Sequence, residues 1–408
     1  MERIPYVLFC VMTWYIVIVY DVSYAEELVK TFEQINVFPV QSNSTFKTVC
    51  YYSLPDTYNG TSQDPVPRGL NATLCSYIIL LPCVIDNNRI VPRFPSHQLL
   101  FTQVIPILRQ LNPALKILVS NSGAFDPVMQ SMQNISEFVN SSLVFLRKYG
   151  FDGLDMDWEF PGWPVTSKPH GQIHNFSIVL TELRKAFEKE ADITKKERLL
   201  LTAAVSAGKS MAETIYEFEY LKQALDFVNM MGYDYNGWGP LNPITAYNSP
   251  LFAESYDKHF FNTNNLAWSA TYWGSKMGKD KVMVGIPFYC HAYKLLSPAM
   301  HGYHAIGIGL GECDQTGYTC ACLAIKNKNA TRVFDSAAKV PYCYYGNQWV
   351  SYDDENSLSI KTKWILENGF GGVMIFSMNT DDYDGVCDGK SKYPLMTAVL
   401  KTIDGYKH

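Results

Sequence analysis

Three carboxylate side chains occupy every second position at the end of the run Phe151–Glu159. In an extended strand alternate side chains point to the same face, so Asp155, Asp157 and Glu159 share a face, with ~7 Å between neighbours. Three carboxylates this close cannot all ionise comfortably, and at least one pKa should rise. A carboxyl group with a raised pKa can donate a proton at neutral pH, so the run predicts a general acid.

Two other interpretations of this run fit its sequence less well. A solvated acidic face would have Lys or Arg partners and a polar opposite face, whereas Leu154, Met156 and Trp158 point the other way. A Ca²⁺ or Mg²⁺ site would use the same oxygens, but strand spacing splays carboxylates instead of wrapping them around an ion as a loop does. We therefore predict neither a metal nor a cofactor.

The surrounding sequence alternates short apolar runs with segments of helical periodicity. Apolar strands separated by helices are typical of a parallel sheet that is covered on both faces. About eight such strands are present, the number that closes a (β/α)8 barrel, in which active sites lie at the carboxyl ends of the strands. The predicted strands include 48–52, 76–81, 116–120, 151–157, 199–206, 227–231, 282–286 and 372–376.

The last two predicted strands are separated by far more residues than one crossover needs. The segment 290–350 is rich in Gly, Tyr and Cys and predicts a small α+β insertion domain. The predicted organisation is a signal peptide (1–25), an N-terminal lead-in (26–45), a barrel (46–289 and 351–408) and the insertion domain (290–350).

The N-terminus and the surface motifs predict export. Tyr6–Tyr20 is almost wholly apolar and precedes the small residues Ser23 and Ala25, as in a secretory signal. An uncleaved anchor is the alternative, but the run is shorter than the ~20 residues of a spanning helix. Seven Asn-X-Ser/Thr sequons fit a secreted glycoprotein, with a lysosomal location as another alternative: Asn43, Asn59, Asn71, Asn134, Asn140, Asn175 and Asn329.

Net charge limits the classes of partner that this protein is expected to bind, and cysteine content indicates how its thiols should pair in an oxidising compartment. The net charge is −5 without long blocks of like charge, so nucleic acid and membrane surfaces are not expected partners after signal cleavage. Removal of Cys10 with the signal would leave nine of the ten cysteines. Most should pair in an oxidising compartment, and the odd number leaves at least one unpaired within a monomer.

The acidic run matches the motif DxxDxDxE in full, from Asp152 to Glu159. On this motif the chain resembles glycoside hydrolase family 18, the chitinases and chitinase-like proteins. The resemblance covers most of the chain after the signal. It continues, in the expected order, through Cys50-Tyr-Tyr, Leu201–Ala207, Met231–Asp234 (MxYD), Ser249-Pro-Leu, Gly285–Tyr289, Trp349–Asp353 and Asp381-Asp-Tyr.

The resemblance implies a substrate-assisted, retaining mechanism without an enzyme nucleophile. Glu159 would protonate the glycosidic oxygen while the substrate's own N-acetyl oxygen attacks the anomeric carbon. Asp157 would hold the acetamido group, and Asp155 would exchange a proton with Asp157. Tyr233 would bind the acetamido carbonyl, and Asp234 the sugar or Glu159.

The resemblance also implies further contacts. Tyr51, Met231 and Phe376 would line the sugar site, and disulfides would join Cys50 to Cys75 and Cys322 to Cys387, with Cys320 as a possible substitute for Cys322. Trp238 would form a sugar platform or, alternatively, a core residue under a loop.

Several cleft positions depart from the family pattern. Phe376 stands where a Trp is usual, which keeps an aromatic floor with less stacking area. Ser122–Ala124 replaces Gly-Gly-Trp, Pro82 lies near another lost aromatic, and Cys290-His291 replaces Gly-Arg. The predicted function is hydrolysis of β-1,4-linked N-acetylglucosamine polymers or oligomers by a secreted monomer. The alternatives are a chitinase-like lectin with little or no turnover and a hydrolase of another GlcNAc-containing glycan.

Overall fold

The computed structural model describes residues 46–58, 66–123, 125–163, 169–255, 257 and 261–406. The predicted signal peptide and lead-in, and the sequons at Asn43 and Asn59, lie outside these ranges. Among the described residues, no helix combines the length and the apolar character needed to cross a membrane.

Eight parallel strands form a closed barrel, because the first strand pairs with both the second and the last. A short antiparallel strand, β3 (Arg89–Pro92), extends β2. The α/β barrel predicted from the apolar runs is thereby confirmed. The barrel strands are β1 (Lys47–Ser53), β2 (Tyr77–Asp86), β4 (Lys116–Ser122), β5 (Gly153–Asp157), β6 (Leu200–Ser206), β7 (Phe227–Met231), β8 (Val282–Pro287) and β14 (Gly372–Phe376).

Helices cover the outside of the barrel and have identifiable ends. Ser131 caps helix α2 (Met132–Tyr149) by accepting a hydrogen bond from the backbone of Asn134, and Gly150 ends that helix in a left-handed conformation (φ 74°). The helices are α1 (Pro95–Leu111), α2 (Met132–Tyr149), α3 (Pro169–Thr194), α4 (Lys209–Thr214), α5 (Phe218–Ala224), α6 (Leu266–Met277), α7 (Tyr318–Lys328), α8 (Glu355–Glu367) and α9 (Pro394–Tyr406).

The chain between β8 and β14 forms a second, antiparallel sheet with α7 beside it. Its five strands have the order β10-β9-β13-β12-β11. Their bounds are β9 (His291–Leu295), β10 (Gly307–Leu310), β11 (Thr331–Asp335), β12 (Val340–Tyr345) and β13 (Gln348–Ser351). This α+β unit occupies the segment in which the sequence predicted an insertion.

Apolar side chains fill much of the barrel interior. Tyr51, Ile79, Leu118, Phe227 and Met283 pack together there and are buried.

Three disulfides are present among the described residues. Cys50–Cys75 and Cys322–Cys387 are the pairs that the family resemblance implied. The third, Cys313–Cys320, explains why Cys320 does not substitute for Cys322. Three buried cysteines, Cys83, Cys290 and Cys343, keep free thiols.

Loss of the Cys50–Cys75 disulfide should destabilise the barrel where β1 meets β2. For the double variant Cys50→Ala/Cys75→Ala we expect the free energy of unfolding to fall by about 2–4 kcal/mol, because a cross-link over 25 residues restricts the unfolded chain. Urea denaturation measures this. Cys83→Ala, which removes a buried thiol without a cross-link, is the control and should lose clearly less. An equal loss in both variants would contradict the prediction.

Candidate active site

The centre of the site is the buried carboxylate of Asp155. Strand register places Ser120 on β4 and Thr202 on β6 directly beside it. One carboxylate oxygen of Asp155 accepts hydrogen bonds from the hydroxyls of Tyr51 (2.7 Å) and Ser120 (3.0 Å). The other accepts from the Thr202 hydroxyl (2.5 Å) and the Asn229 amide (3.0 Å). A carboxylate has about four acceptor positions, so those of Asp155 are filled.

Burial raises the pKa of Asp155, and the four hydrogen bonds oppose this rise because they favour the charged form. Asp157 lies one step nearer to solvent on the same face. Its Oδ1 atom is buried without a hydrogen-bond partner in the described structure. Burial, followed by the charges of Glu159 and Asp155, raises the pKa of Asp157 well above its usual range. The site therefore favours a proton on Asp157 over a third negative charge.

Glu159 completes the acidic row, and its carboxyl group opens to solvent. Desolvation by the surrounding protein and, after it, the charge of Asp234 raise the pKa of Glu159. The pKa is thus raised at all three carboxyl groups, chiefly by burial, and neighbouring carboxylates of the acidic row add to the rise at Asp157. Asp152, on the opposite parity, accepts hydrogen bonds from Arg109 and from the backbone of Ile117 and has a structural role.

A cleft of about 430 Å³ lies above the acidic row. It brings together most of the site residues predicted from the sequence, while Asp155 lies beneath its floor. Ser122 and Pro82, from positions where the family pattern is broken, also line it; Ala124 is outside the described residues. The predicted residues that line the cleft are Tyr51, Asp157, Glu159, Met231, Tyr233, Asp234 and Phe376.

Phe376 forms an aromatic floor at the end of β14. Its ring lies 5.7 Å from that of Tyr51, 5.5 Å from that of Tyr233 and 6.0 Å from that of Tyr289, measured between centroids. The ring is half-buried, so one part of it faces the cleft. Trp238 is not among the residues that line this cleft. It is half-buried beside the insertion, and its indole N–H donates to the backbone of Gly307 (3.1 Å), as in the core alternative.

Asp234 lies at the cleft rim in a left-handed conformation (φ 55°). One oxygen of its carboxylate accepts hydrogen bonds from the Tyr289 hydroxyl and from Nε2 of His291, the latter at 2.7 Å. The other ring nitrogen of His291 lies 2.9 Å from Oδ1 of Asp314. Burial opposes a charge on His291, but the hydrogen bonds to the two carboxylates raise its pKa to about 9. His291 is therefore an imidazolium held between two anions.

Sequence reasoning missed several of these partners. Ser120, Thr202 and Asn229 belong to predicted strands, and a correct strand register would have placed them beside Asp155. His291 was noted only as a departure from the family pattern. Its partner Asp314 comes from the loop after β10, and no spacing rule connects the two residues.

The described sequons differ in accessibility. Asn140 and Asn329 are exposed, and Asn134 and Asn175 are half-buried. Asn71 is 1% exposed, and its side-chain oxygen accepts hydrogen bonds from Thr73. A glycan on a folded Asn71 would have no room, so the structure argues against this one of the seven predicted sites.

A closed (β/α)8 barrel with an acidic row at the carboxyl end of β5 defines the class of α/β-barrel proteins that carry a carboxylate site at this end of the sheet. The family model of the glycosyl hydrolases family 18 matches residues 47–381, and the chain belongs to this family.

The relatives include proteins named as enzymes and one described as a pseudo-enzyme. Human chitinase-3-like protein 2 is 34% identical over 380 residues, which are 89% of this chain and 94% of that protein. Mouse chitotriosidase-1 is 32% identical, with coverage of 90% and 80%. Among solved structures, human YKL-39, a pseudo-chitinase with retained chitooligosaccharide-binding properties, has a TM-score of 0.79 at 34% identity, with coverage of 88% and 100%. An immunomodulatory active chitinase from Trichuris suis has the same TM-score at 29% identity, also with coverage of 88% and 100%.

The charge on His291 should make stability depend on pH. The pKa of His291 is raised from 6.5 to about 9 in the folded chain, so its charge stabilises the fold fully below pH 6.5 and progressively less up to pH 9. We expect His291→Gln to lower the melting temperature most at pH 6 and least above pH 9. Thermal denaturation of both proteins from pH 5.5 to 9.5 measures this. A difference that stays constant over the range would contradict it.

Proposed function

We propose that this protein is a secreted chitinase-type glycosidase that cleaves β-1,4-linked N-acetylglucosamine chains. One observation carries the proposal: Glu159 opens to the cleft with a raised pKa, two residues beyond a carboxyl group, that of Asp157, whose Oδ1 has no partner. A proton donor thus lies beside an unoccupied acceptor. An N-acetylated sugar has a partner for each group: its glycosidic oxygen can accept the proton of Glu159, and its acetamido N–H can donate to Oδ1 of Asp157.

In the proposed reaction the proton of Glu159 passes to the glycosidic oxygen as its bond to the anomeric carbon breaks. The acetamido carbonyl oxygen of the same sugar attacks that carbon and forms an oxazolinium. Ionised Glu159 then takes a proton from a water molecule as its oxygen attacks the anomeric carbon. The bond between that carbon and the acetamido oxygen breaks, the acetamide is restored, and the configuration is retained. Tyr233, buried at the cleft floor beside Phe376, is the proposed donor to the acetamido oxygen.

Asp157 and Asp155 have separate roles in this proposal. Oδ1 of Asp157 accepts the acetamido N–H. In the resting site the charge of Asp155 helps to raise the pKa of Asp157, which keeps its proton. During the reaction this proton passes to Asp155, as the family resemblance implied, and ionised Asp157 then stabilises the positive oxazolinium. The transfer needs one hydroxyl donor to rotate away from Asp155, because its acceptor positions are occupied.

Acid catalysis by Glu159 has a direct test. We expect Glu159→Gln to lower the rate of product release from a chromogenic chitobioside by about 10²–10⁴-fold, because the amide cannot donate the proton. The control is Glu188→Gln, the same chemical change at an exposed position of α3. An inactive wild type, or equal rates in wild type and Glu159→Gln, would refute the proposal.

The second candidate is a glycan-binding protein without turnover. The smaller floor at Phe376 favours it, as does the structural similarity to a pseudo-chitinase that retains chitooligosaccharide binding. Both candidates require Phe376 as the floor of the sugar site, so binding and turnover need separate measurements.

Truncation of the floor should weaken sugar binding. In a Glu159→Gln background, Phe376→Ala should reduce the affinity for tetra-N-acetylchitotetraose roughly tenfold by calorimetry, because an aromatic contact of more than 1 kcal/mol is lost. Phe334→Ala, which truncates a half-buried ring on β11, is the matched control. Unchanged affinity in Phe376→Ala would remove Phe376 from the sugar site.

A further inference from the structure

A fully buried lysine lies behind the rim of the cleft. Lys361 of α8 is 0% exposed, and its ammonium group lies 2.7 Å from Oδ2 of Asp353. It also donates to the backbone oxygen of Ser249 and to the hydroxyl of Ser249 (3.1 Å). Three donors therefore meet three acceptors. Burying a charge is costly even when the charge is paired, and a fold with apolar residues at these positions would often be equally stable. Stability alone therefore does not account for this ion pair, and we ask which segment it positions.

Ser249 connects this ion pair to the cleft. Its hydroxyl donates to the backbone oxygen of Gly232 (2.6 Å). The neighbouring Asn248 accepts from the backbone N–H of Asp234 through its side chain (2.8 Å) and from that of Tyr235 through its carbonyl (3.1 Å). The pair 248–249 thus holds the segment 232–235 by three hydrogen bonds.

The segment 232–235 depends on such bonds because it lies beyond the sheet. Strand β7 ends at Met231, so no ladder pairing continues through Tyr233 and Asp234. Asp234 has a left-handed backbone, which is uncommon for residues other than glycine, so the hydrogen bond to its backbone N–H helps to hold it. A side chain at Gly232 would come within 2.4 Å of the backbone oxygen of Gly285, so the segment is also confined from the opposite side.

The end of the insertion fixes the other side of this arrangement. The hydroxyl of Ser351, the last residue of β13, accepts a hydrogen bond from the backbone N–H of Asn248 (2.9 Å). Asp353 follows two residues later, just before α8. The chain that returns from the insertion to the barrel therefore binds Asn248 directly through Ser351, and it reaches Ser249 through Asp353 and Lys361.

We propose that Lys361 is a positioning residue: through Asp353 and Ser249 it fixes the segment 232–235, so that Tyr233 and Asp234 face the sugar site. The expected effect of this positioning on catalysis rests on the proposed function. The positioning of Asp234 by Lys361 can be tested without any substrate. Asp234 also binds His291, so the titration of His291 reports the position of Asp234.

Ser249→Ala tests the coupling with the smallest change. It removes the hydroxyl bond to Gly232 and one of the three acceptors of Lys361, and it leaves the backbone oxygen of Ser249 that Lys361 also binds. We expect kcat on a chromogenic chitobioside to fall about tenfold to a hundredfold with KM within about threefold, since small displacements at a reacting centre are costly. We also expect the pKa of His291 to fall from about 9, because a less firmly held Asp234 stabilises the imidazolium less. The NMR signal of the imidazole ring measures this pKa, and His291→Gln assigns the signal.

Ser357→Ala is the matched control. The Ser357 hydroxyl donates to Oδ1 of Asp353 (2.7 Å) and caps α8, so its loss weakens the helix end but leaves Oδ2 of Asp353, which Lys361 binds, in place. It should lower the melting temperature and leave the titration of His291 and kcat unchanged. Lys361→Met should follow Ser249→Ala in direction.

The outcomes separate the two proposals. A wild type without turnover rejects the proposed function, and the titration of His291 in Ser249→Ala and Ser357→Ala still decides the coupling. If Ser249→Ala lowers only the melting temperature, as Ser357→Ala does, and leaves kcat and the His291 titration at wild-type values, Lys361 has a merely structural role and the inference is overturned.

Discussion

The site depends on one buried anion with a complete set of hydrogen bonds. Asp155 on β5 is contacted by Tyr51 from β1, Ser120 from β4, Thr202 from β6 and Asn229 from β7, so five strands of the barrel converge on one carboxyl group. Removing any single donor would leave one of its four acceptor positions empty, which is costly in free energy. The same hydrogen bonds favour the charged form of Asp155 beneath the cleft. Burial, then the charge of Glu159 and then that of Asp155 raise the pKa of Asp157, the next carboxyl group along the strand.

Two parts of the chain form the cleft, and different interactions hold each of them in place. The barrel supplies the acidic row through strand parity, which requires no long-range information. The rim at Asp234 lies outside the strands and is held by contacts that reach the insertion, from Asp314 through His291 and from Ser351 through Asn248. The insertion therefore contributes to the electrostatics and the geometry of the site although the acidic row belongs to the barrel.

The sequence predicted those features that depend on local periodicity. Eight apolar runs and one excessive spacing were enough for the barrel and its insertion, and alternation along β5 was enough to orient Asp155, Asp157 and Glu159 together. Features that depend on pairing between distant segments were not predictable in this way. The contacts of Ser120 and Thr202 with Asp155 follow only from the strand register of the structure. The charge of His291 follows only from the placement of β9 and the loop carrying Asp314 beside Asp234. Trp238 shows the same limit, since its position after β7 was compatible with both a platform and a packed core residue.

The central claim is that Glu159 and Asp157 support attack by the substrate's own acetamido group, and the anomeric form of the first product tests it most directly. Proton NMR during the first minutes of tetra-N-acetylchitotetraose hydrolysis resolves the two anomers before they equilibrate. Retention predicts that the new reducing end appears first as the β-anomer. Initial appearance of the α-anomer, or no new reducing end at all, would contradict the account.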